Sequence, residues 1–216
     1  MFRTAATSND DLVDQVKAEG MLRDTRIEQA MRAIDRKDFV REKASAYIDA
    51  PASIGYGQTI SAPHIHARMM ELLKNSLKEG CNVLDVGCGS GYLTATMAEL
   101  VGPTGSVTGI EVYPELVAFA RENISKYPKL ESRTKLIIGD GKKGYAPNAT
   151  YDAIHVGAAA DRLPPALVDQ LKPGGQICIP VSDSSGMGQT LNLLKKHSDG
   201  SVSEQRSEQV MFVPLT

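Results

Sequence analysis

The sequence predicts an α/β fold: a Rossmann-like, doubly wound and mostly parallel sheet with N-terminal helices and an antiparallel C-terminal edge. Three observations carry this. From Asn82 onward, short apolar runs alternate with segments of helical period, the pattern of βαβ units. The first run ends in a glycine-rich turn, Gly87-Cys88-Gly89-Ser90-Gly91, that opens a helix. The last runs follow one another with no helix between them, which suits antiparallel pairing.

The elements follow in order. Asp11–Glu19 reads as a helix behind the cap candidate Ser8, with Gly20 placed to end it. Thr25–Ile34 opens with a Thr25-x-x-Glu28 capping box. Asp49 to Pro63 is non-periodic and rich in Gly, Ser and Thr. It leads into a helix with Ser61 as cap, Pro63 in the first turn, and Ile65, Met69, Leu72, Leu73 and Leu77 as a core stripe. Strands are expected at Asn82–Val86, Ser106–Glu111, Lys135–Ile138 and Tyr151–Val156. Helices are expected over Tyr92–Val101, from Pro114, and from Pro164-Pro165 to a stop at Lys172-Pro173-Gly174-Gly175. Gln176–Val181, Thr190–Lys195 and Gln209–Val213 complete the sheet.

Length and composition narrow the function. The 216 residues suit a single domain, read as a helical and acceptor-side part (1–80), a cofactor-binding core (81–182) and C-terminal strands (183–216). With 24 basic and 26 acidic residues the net charge is −2, which lacks the basic field of a general nucleic-acid binder. No apolar run approaches the roughly 20 residues of a membrane helix, and residues 1–10 do not read as a signal peptide. Cys81, Cys88 and Cys178 form neither a disulfide framework nor a zinc motif, so no metal is expected. The expectation is a cytoplasmic, monomeric protein.

The glycine turn has the spacing G-x-G-x-G, not the G-x-G-x-x-G of dinucleotide sites. Asp85, two residues before the first glycine, would repel a pyrophosphate and attract a cation. S-adenosyl-L-methionine offers that carboxylate a sulfonium and an ammonium, and offers the turn's N–H groups a carboxylate. Glu111 ends the second strand, where an acid accepts from ribose hydroxyls, and Asp140-Gly141 after the third strand can meet the adenine amino group. Cys88 in the turn sits where a helix N-terminus acidifies a thiol, without a catalytic role.

A second segment, Gly57-Gln58-Thr59-Ile60-Ser61-Ala62-Pro63-His64, combines hydroxyls with a helix N-terminus, a seat for a substrate carboxylate. His64 and His66 point in different directions on a helix and cannot share a metal. His155, ending the fourth strand, either lines the site or plays a hydrogen-bonded structural role.

Together with Val83 to Gly91, Gly139-Asp140-Gly141, Tyr151 to Ala159 and Leu171 to Gly175, this segment resembles the protein-L-isoaspartate O-methyltransferase family over essentially the whole chain. The glycine motif alone indicates a class I S-adenosylmethionine-dependent methyltransferase; Thr59 to His64 is the specific part. The resemblance implies methyl transfer to the free α-carboxylate of L-isoaspartyl residues in damaged proteins and peptides, giving S-adenosyl-L-homocysteine and an ester that collapses to a succinimide. It implies Ser61 as the catalytic-site residue and Thr59, Ile60, His64, Val213, Pro214 and Leu215 as substrate contacts. It implies Asp85, Val86, Gly87, Gly89, Ser90, Glu111, Val112, Gly139, Asp140 and Gly141 as the cofactor site. One departure is Ser182 after Pro180-Val181, where the family commonly has glycine.

Rival readings are weaker. Amino methylation of nucleic acids uses an Asp/Asn-Pro-Pro-aromatic motif, whereas Pro164-Pro165 lies between Leu163 and Ala166. A nicotinamide oxidoreductase conflicts with Asp85 and the glycine spacing. A non-catalytic cofactor binder conflicts with the intact Thr59-Ile60-Ser61, and an assay separates the two.

Overall fold

The computed structural model describes residues 6–183 and 188–216. The signal-peptide reading and the Ser/Gly-rich loop after Ser182 fall partly outside the described residues.

Helix α1 (Asn9–Ala18) has Ser8 as its N-cap, with Asp10 and Asp11 in the first turn and Lys17 in the last, matching the helix dipole. Helix α2 (Thr25–Ala33) corrects the expected capping box. The cap is Asp24, whose carboxylate accepts from Arg26 N, and Glu28 turns to Lys17 and Arg32. A carboxylate one residue upstream takes the cap, and two cations draw Glu28 away. The non-periodic stretch contains a missed hairpin of β1 (Ala52–Gly55) and β2 (Gln58–Ile60), registering Ser53 against Thr59. Strands of four and three residues are too short to show alternation.

Helix α3 (Pro63–Leu73) is capped at Ala62 with no side-chain bond, so Ser61 is not its cap; Asp49, from outside the helix, accepts from His64 N at 3.0 Å. Its buried face is His66, Ala67, Met69, Met70 and Leu73, while Ile65 and Leu72 pack at the margin and Leu77 lies past the helix end. The expected stripe is thus rotated by part of a turn.

The large sheet has the order β5-β4-β3-β6-β7-β8-β9, formed by β3 (Asn82–Val86), β4 (Ser106–Glu111), β5 (Thr134–Ile138), β6 (Tyr151–Val156), β7 (Leu171–Ser182), β8 (Gln189–Lys196) and β9 (Val202–Val210). The first five pair in parallel; β7, β8 and β9 pair antiparallel. Lys172 to Gly175 is a bulge inside β7 rather than a turn before it, since Leu171 already pairs with Tyr151 and Gln176 with Ala153. The last strand also departs from expectation. Its polar residues from Val202 carry no apolar signal, and the apolar Phe212-Val213 lies beyond the strand.

Helices α4 (Tyr92–Leu100), α5 (Pro114–Ile124), α6 (Pro128–Glu131) and α7 (Pro165–Asp169) cover the sheet. Period-two alternation divides the core: Val83 joins the cluster that holds the N-terminal helices and α4, while Leu84 and Val86 join the one that holds Leu167 of α7. Each such fully buried aliphatic side chain contributes about 1.5–3 kcal/mol. The chain runs outward from β3 through β4 and β5, then returns to the other side of β3 at β6. That reversal is where open α/β sheets bind ligands.

Candidate active site

Beyond the carboxyl ends of β3 and β6, Gly157 N donates to Val86 O at 2.8 Å, and the strands part above it. The cavity there has an inner and an outer lobe that share Thr59, Gly87, Gly89 and Gly157. The hairpin β1–β2 forms one wall and the glycine turn the other.

Two glycines of the turn are required by its shape. Gly89 has φ +53, and a Cβ there would lie 3.0 Å from Ile54 Cδ1 in the opposite wall. Gly91 caps α4 at φ +86, and its Cβ would lie 3.0 Å from Ala120 Cβ. Four of the turn's five amides are engaged internally: Gly87 and Cys88 donate to Ile110 O, Gly91 to Cys88 O, and Gly89 to Glu111 Oε2. A ligand carboxylate is therefore left with the Ser90 amide, the first turn of α4 and the side chains of the inner lobe.

Asp85 lies buried in the inner lobe and accepts from Thr94 Oγ1 at 2.5 Å and His155 Nδ1 at 2.7 Å. His155 thus both lines the lobe and is hydrogen-bonded. Glu111 stands in the outer lobe, where Val112 N and Tyr113 N donate to Oε1 and Gly89 N to Oε2. A carboxylate has about four acceptor positions, so one remains for a ligand hydroxyl. Gly141 lines the outer lobe, whereas Gly139 and Asp140 do not; Asp140 caps the short turn Gly141–Lys143 through Lys142 N. Val86 is buried behind the wall, against the position a Gly141 Cβ would occupy. Ser90 and Val112 line the inner and outer lobes respectively.

On the acceptor side, Thr59 reaches both lobes, while Ile60 and Ser61 reach the inner one. His64 reaches neither: its ring meets the Asp49 carboxylate at 2.9 Å. His66 lines the inner lobe instead, beside Tyr92 at 5.1 Å between ring centroids. The sequence carried no signal for it; the packing of α3 places it on the helix's buried face. Val213, Pro214 and Leu215 line the outer lobe, joined to the loop after β6 by Ala159 N to Val213 O and Leu215 N to Ala159 O. Gln189 brackets Phe212, donating to its carbonyl at 3.1 Å and accepting from its N–H at 2.6 Å. Gln58, from the acceptor-side segment, also lines the cavity, as do Ile54, Tyr113 and Thr216, which carried no sequence signal.

Burial, then Asp85 and Glu111, push the Cys88 thiol well above its usual range, the reverse of the expected acidification. Burial first, then the positive charge of Arg36, holds His66 well below the usual imidazole range. Burial pushes the Tyr92 hydroxyl up to about 12.

An anion deep in the cavity, an acid with one open acceptor position farther out, and a glycine wall a Cβ would disturb all fit S-adenosyl-L-methionine. The fold is that of S-adenosylmethionine-dependent methyltransferases. A Plasmodium falciparum PCMT structure in complex with S-adenosyl-L-homocysteine superposes with a TM-score of 0.90 at 34% identity, covering 98% of this chain and 99% of that one. Protein-L-isoaspartate O-methyltransferase 1 of Arabidopsis thaliana is 46% identical over 99% of this chain and 93% of its own length. The Caenorhabditis elegans protein-L-isoaspartate O-methyltransferase is 42% identical over 100% of this chain and 95% of its own. The family profile Protein-L-isoaspartate(D-aspartate) O-methyltransferase (PCMT) matches residues 7–216. The chain belongs to this family.

Proposed function

We infer that the chain transfers a methyl group from S-adenosyl-L-methionine to the free α-carboxylate of L-isoaspartyl residues in damaged proteins and peptides, starting their return to aspartyl. One observation carries this reading: Thr59 and Ser61 line the same two-lobed cavity as Asp85 and Glu111.

The residue roles follow from position. Asp85 holds the ammonium group, Glu111 a ribose hydroxyl, and Gly141 the adenine edge, while Asp140, which lines neither lobe, holds the Gly141 turn in place. Ser90 and Val112 shape the two lobes, and Val86 and Gly139 support the wall from behind. When bound, the cofactor supplies the methyl group on a sulfonium, an electrophile that needs no further activation. The acceptor, a carboxylate with a reference pKa of about 4, is already ionised at neutral pH, so no general base is required. The task of Thr59 and Ser61 is positioning, which brings large rate factors by itself. Ile60, buried beneath them, fixes the hairpin strand. Val213 to Leu215 receive the peptide. His64, tied to Asp49, acts at most through the start of α3.

No helix among the described residues is long and apolar enough to cross a membrane. We propose a cytosolic enzyme acting as one domain and a monomer, on proteins and peptides rather than nucleic acids. The deciding experiment supplies methyl-labelled cofactor with a peptide pair differing only in L-isoaspartyl against L-aspartyl. Base-labile label on the isoaspartyl peptide alone is expected; label on neither, with cofactor binding shown separately, overturns the acceptor assignment.

A further inference from the structure

Three buried nitrogen atoms around the Tyr92 ring lack a hydrogen-bond partner: Arg36 Nε, Arg36 Nη1 and His66 Nδ1. Arg36 follows α2 and is fully enclosed; its one side-chain bond runs from Nη2 to Ala50 O at 3.2 Å. Its guanidinium carbon lies 5.9 Å from the Tyr92 ring centre, and the His66 ring lies 5.1 Å from the same ring. The orphans are complementary, because a guanidinium offers only donors and a neutral imidazole offers one acceptor nitrogen. A proton on His66 Nδ1 would make all three orphans donors with no acceptor among them, whereas a lone pair there offers the guanidinium an acceptor.

We propose that Arg36 is a positioning residue for the inner lobe. Its guanidinium donates through one enclosed water to His66 Nδ1, and so fixes the imidazole with its proton on Nε2, presented to the cavity as a neutral donor to a carboxylate. Nδ1 is enclosed while the ring lines the inner lobe, so the opposite edge is the one that faces a ligand. The surroundings keep that donor uncharged: burial and the cation of Arg36 disfavour a second proton, and Arg36 itself, lowered to about 10 by burial, remains charged at neutral pH. Four of the glycine turn's five amides are engaged internally, so a side-chain donor adds to the few backbone donors left to the lobe. Two carboxylates enter this cavity on the reading above, the methionyl carboxylate of the cofactor and the isoaspartyl carboxylate of the substrate. The inference rests on that reading for the ligand but not for the tautomer.

The test begins with ¹⁵N spectra of the His66 ring in the ligand-free wild-type protein. The expected result is the Nε2–H form, unchanged from about pH 6 to 8; an Nδ1–H form or a titrating ring overturns the proposal. Arg36→Met is then expected to give a mixed tautomer, and Arg36→Lys to keep the wild-type one. With Arg36→Met, about tenfold weaker S-adenosyl-L-homocysteine binding by calorimetry assigns the donor to the cofactor carboxylate. About tenfold higher KM for an isoaspartyl peptide, with homocysteine-product binding intact, assigns it to the acceptor. Wild-type tautomer and affinities in Arg36→Met overturn the proposal. If that variant does not fold, the wild-type spectrum and Arg36→Lys still decide. A failure to methylate isoaspartyl peptide in the wild type would leave the tautomer result standing by itself.

Discussion

Asp85 and His155 sit opposite each other on adjacent parallel strands, with His155 Nδ1 2.7 Å from Asp85 Oδ1. The carboxylate assigned to the cofactor ammonium is therefore held in place before any ligand arrives, by His155 on one oxygen and Thr94 on the other. Asp85→Asn preserves the shape and removes the negative charge. Binding of S-adenosyl-L-homocysteine is expected to weaken at least about tenfold, the scale of a charged hydrogen bond. Calorimetry on the folded variant decides the matter, and an unchanged affinity removes Asp85 as the ammonium partner.

Ser61 enters the inner lobe and does not cap α3, so its hydroxyl is available to a ligand. The nucleophile it would orient is already an anion, and a strong hydrogen bond to that oxygen would lower its reactivity. Ser61→Ala should therefore impair turnover without abolishing it, by a factor of about ten or less in kcat/KM for peptide, with cofactor affinity unchanged. Complete loss of turnover in a folded, cofactor-binding variant would give Ser61 a larger role.

Much of this site was legible in the sequence because strand ends and glycine turns are local signals. Asp85, Gly89 and Glu111 fall where the βα pattern put them, since each is fixed by its own strand or turn. What could not be read was set by long-range contacts. The Thr25-x-x-Glu28 box gave way to Asp24 because Glu28 meets Lys17 from another helix. His64 and His66 are chemically alike in sequence, and only the packing of α3 decides that His66 turns inward. β9 is a polar edge strand whose partner, not its composition, defines it. Arg36 shows no motif at all; its place under Tyr92 comes from the tertiary fold.

Gln189 holds the backbone of Phe212 by two hydrogen bonds, and the next three residues form part of the outer lobe. Gln189→Ala frees the segment at this end while Ala159 still pairs with Val213 and Leu215. The side chain touches neither lobe, so the chemistry should be spared. The expected signature is a KM for isoaspartyl peptide raised about three- to tenfold with kcat nearly unchanged, consistent with the loss of one or two neutral hydrogen bonds. A fall in kcat with KM unchanged would contradict the assignment of this segment to peptide binding.

His66 gives the fold a pH dependence of defined sign. Its folded-state pKa lies well below the usual 6.5 because of burial, with the Arg36 charge adding to it. Between the folded and unfolded values the unfolded chain binds a proton that the native state refuses, so stability rises with pH and is lost as pH falls below about 6.5. The slope from one such group is about 1.4 kcal/mol per pH unit. Phe at this position keeps a ring beside Tyr92 and cannot titrate. Urea unfolding of wild type and His66→Phe from about pH 7 down to 5 should therefore show the wild type losing ground to the variant as pH falls. Parallel stability curves would mean that His66 accepts its proton in the folded protein as readily as in the unfolded chain, and that the Arg36 charge does not reach it.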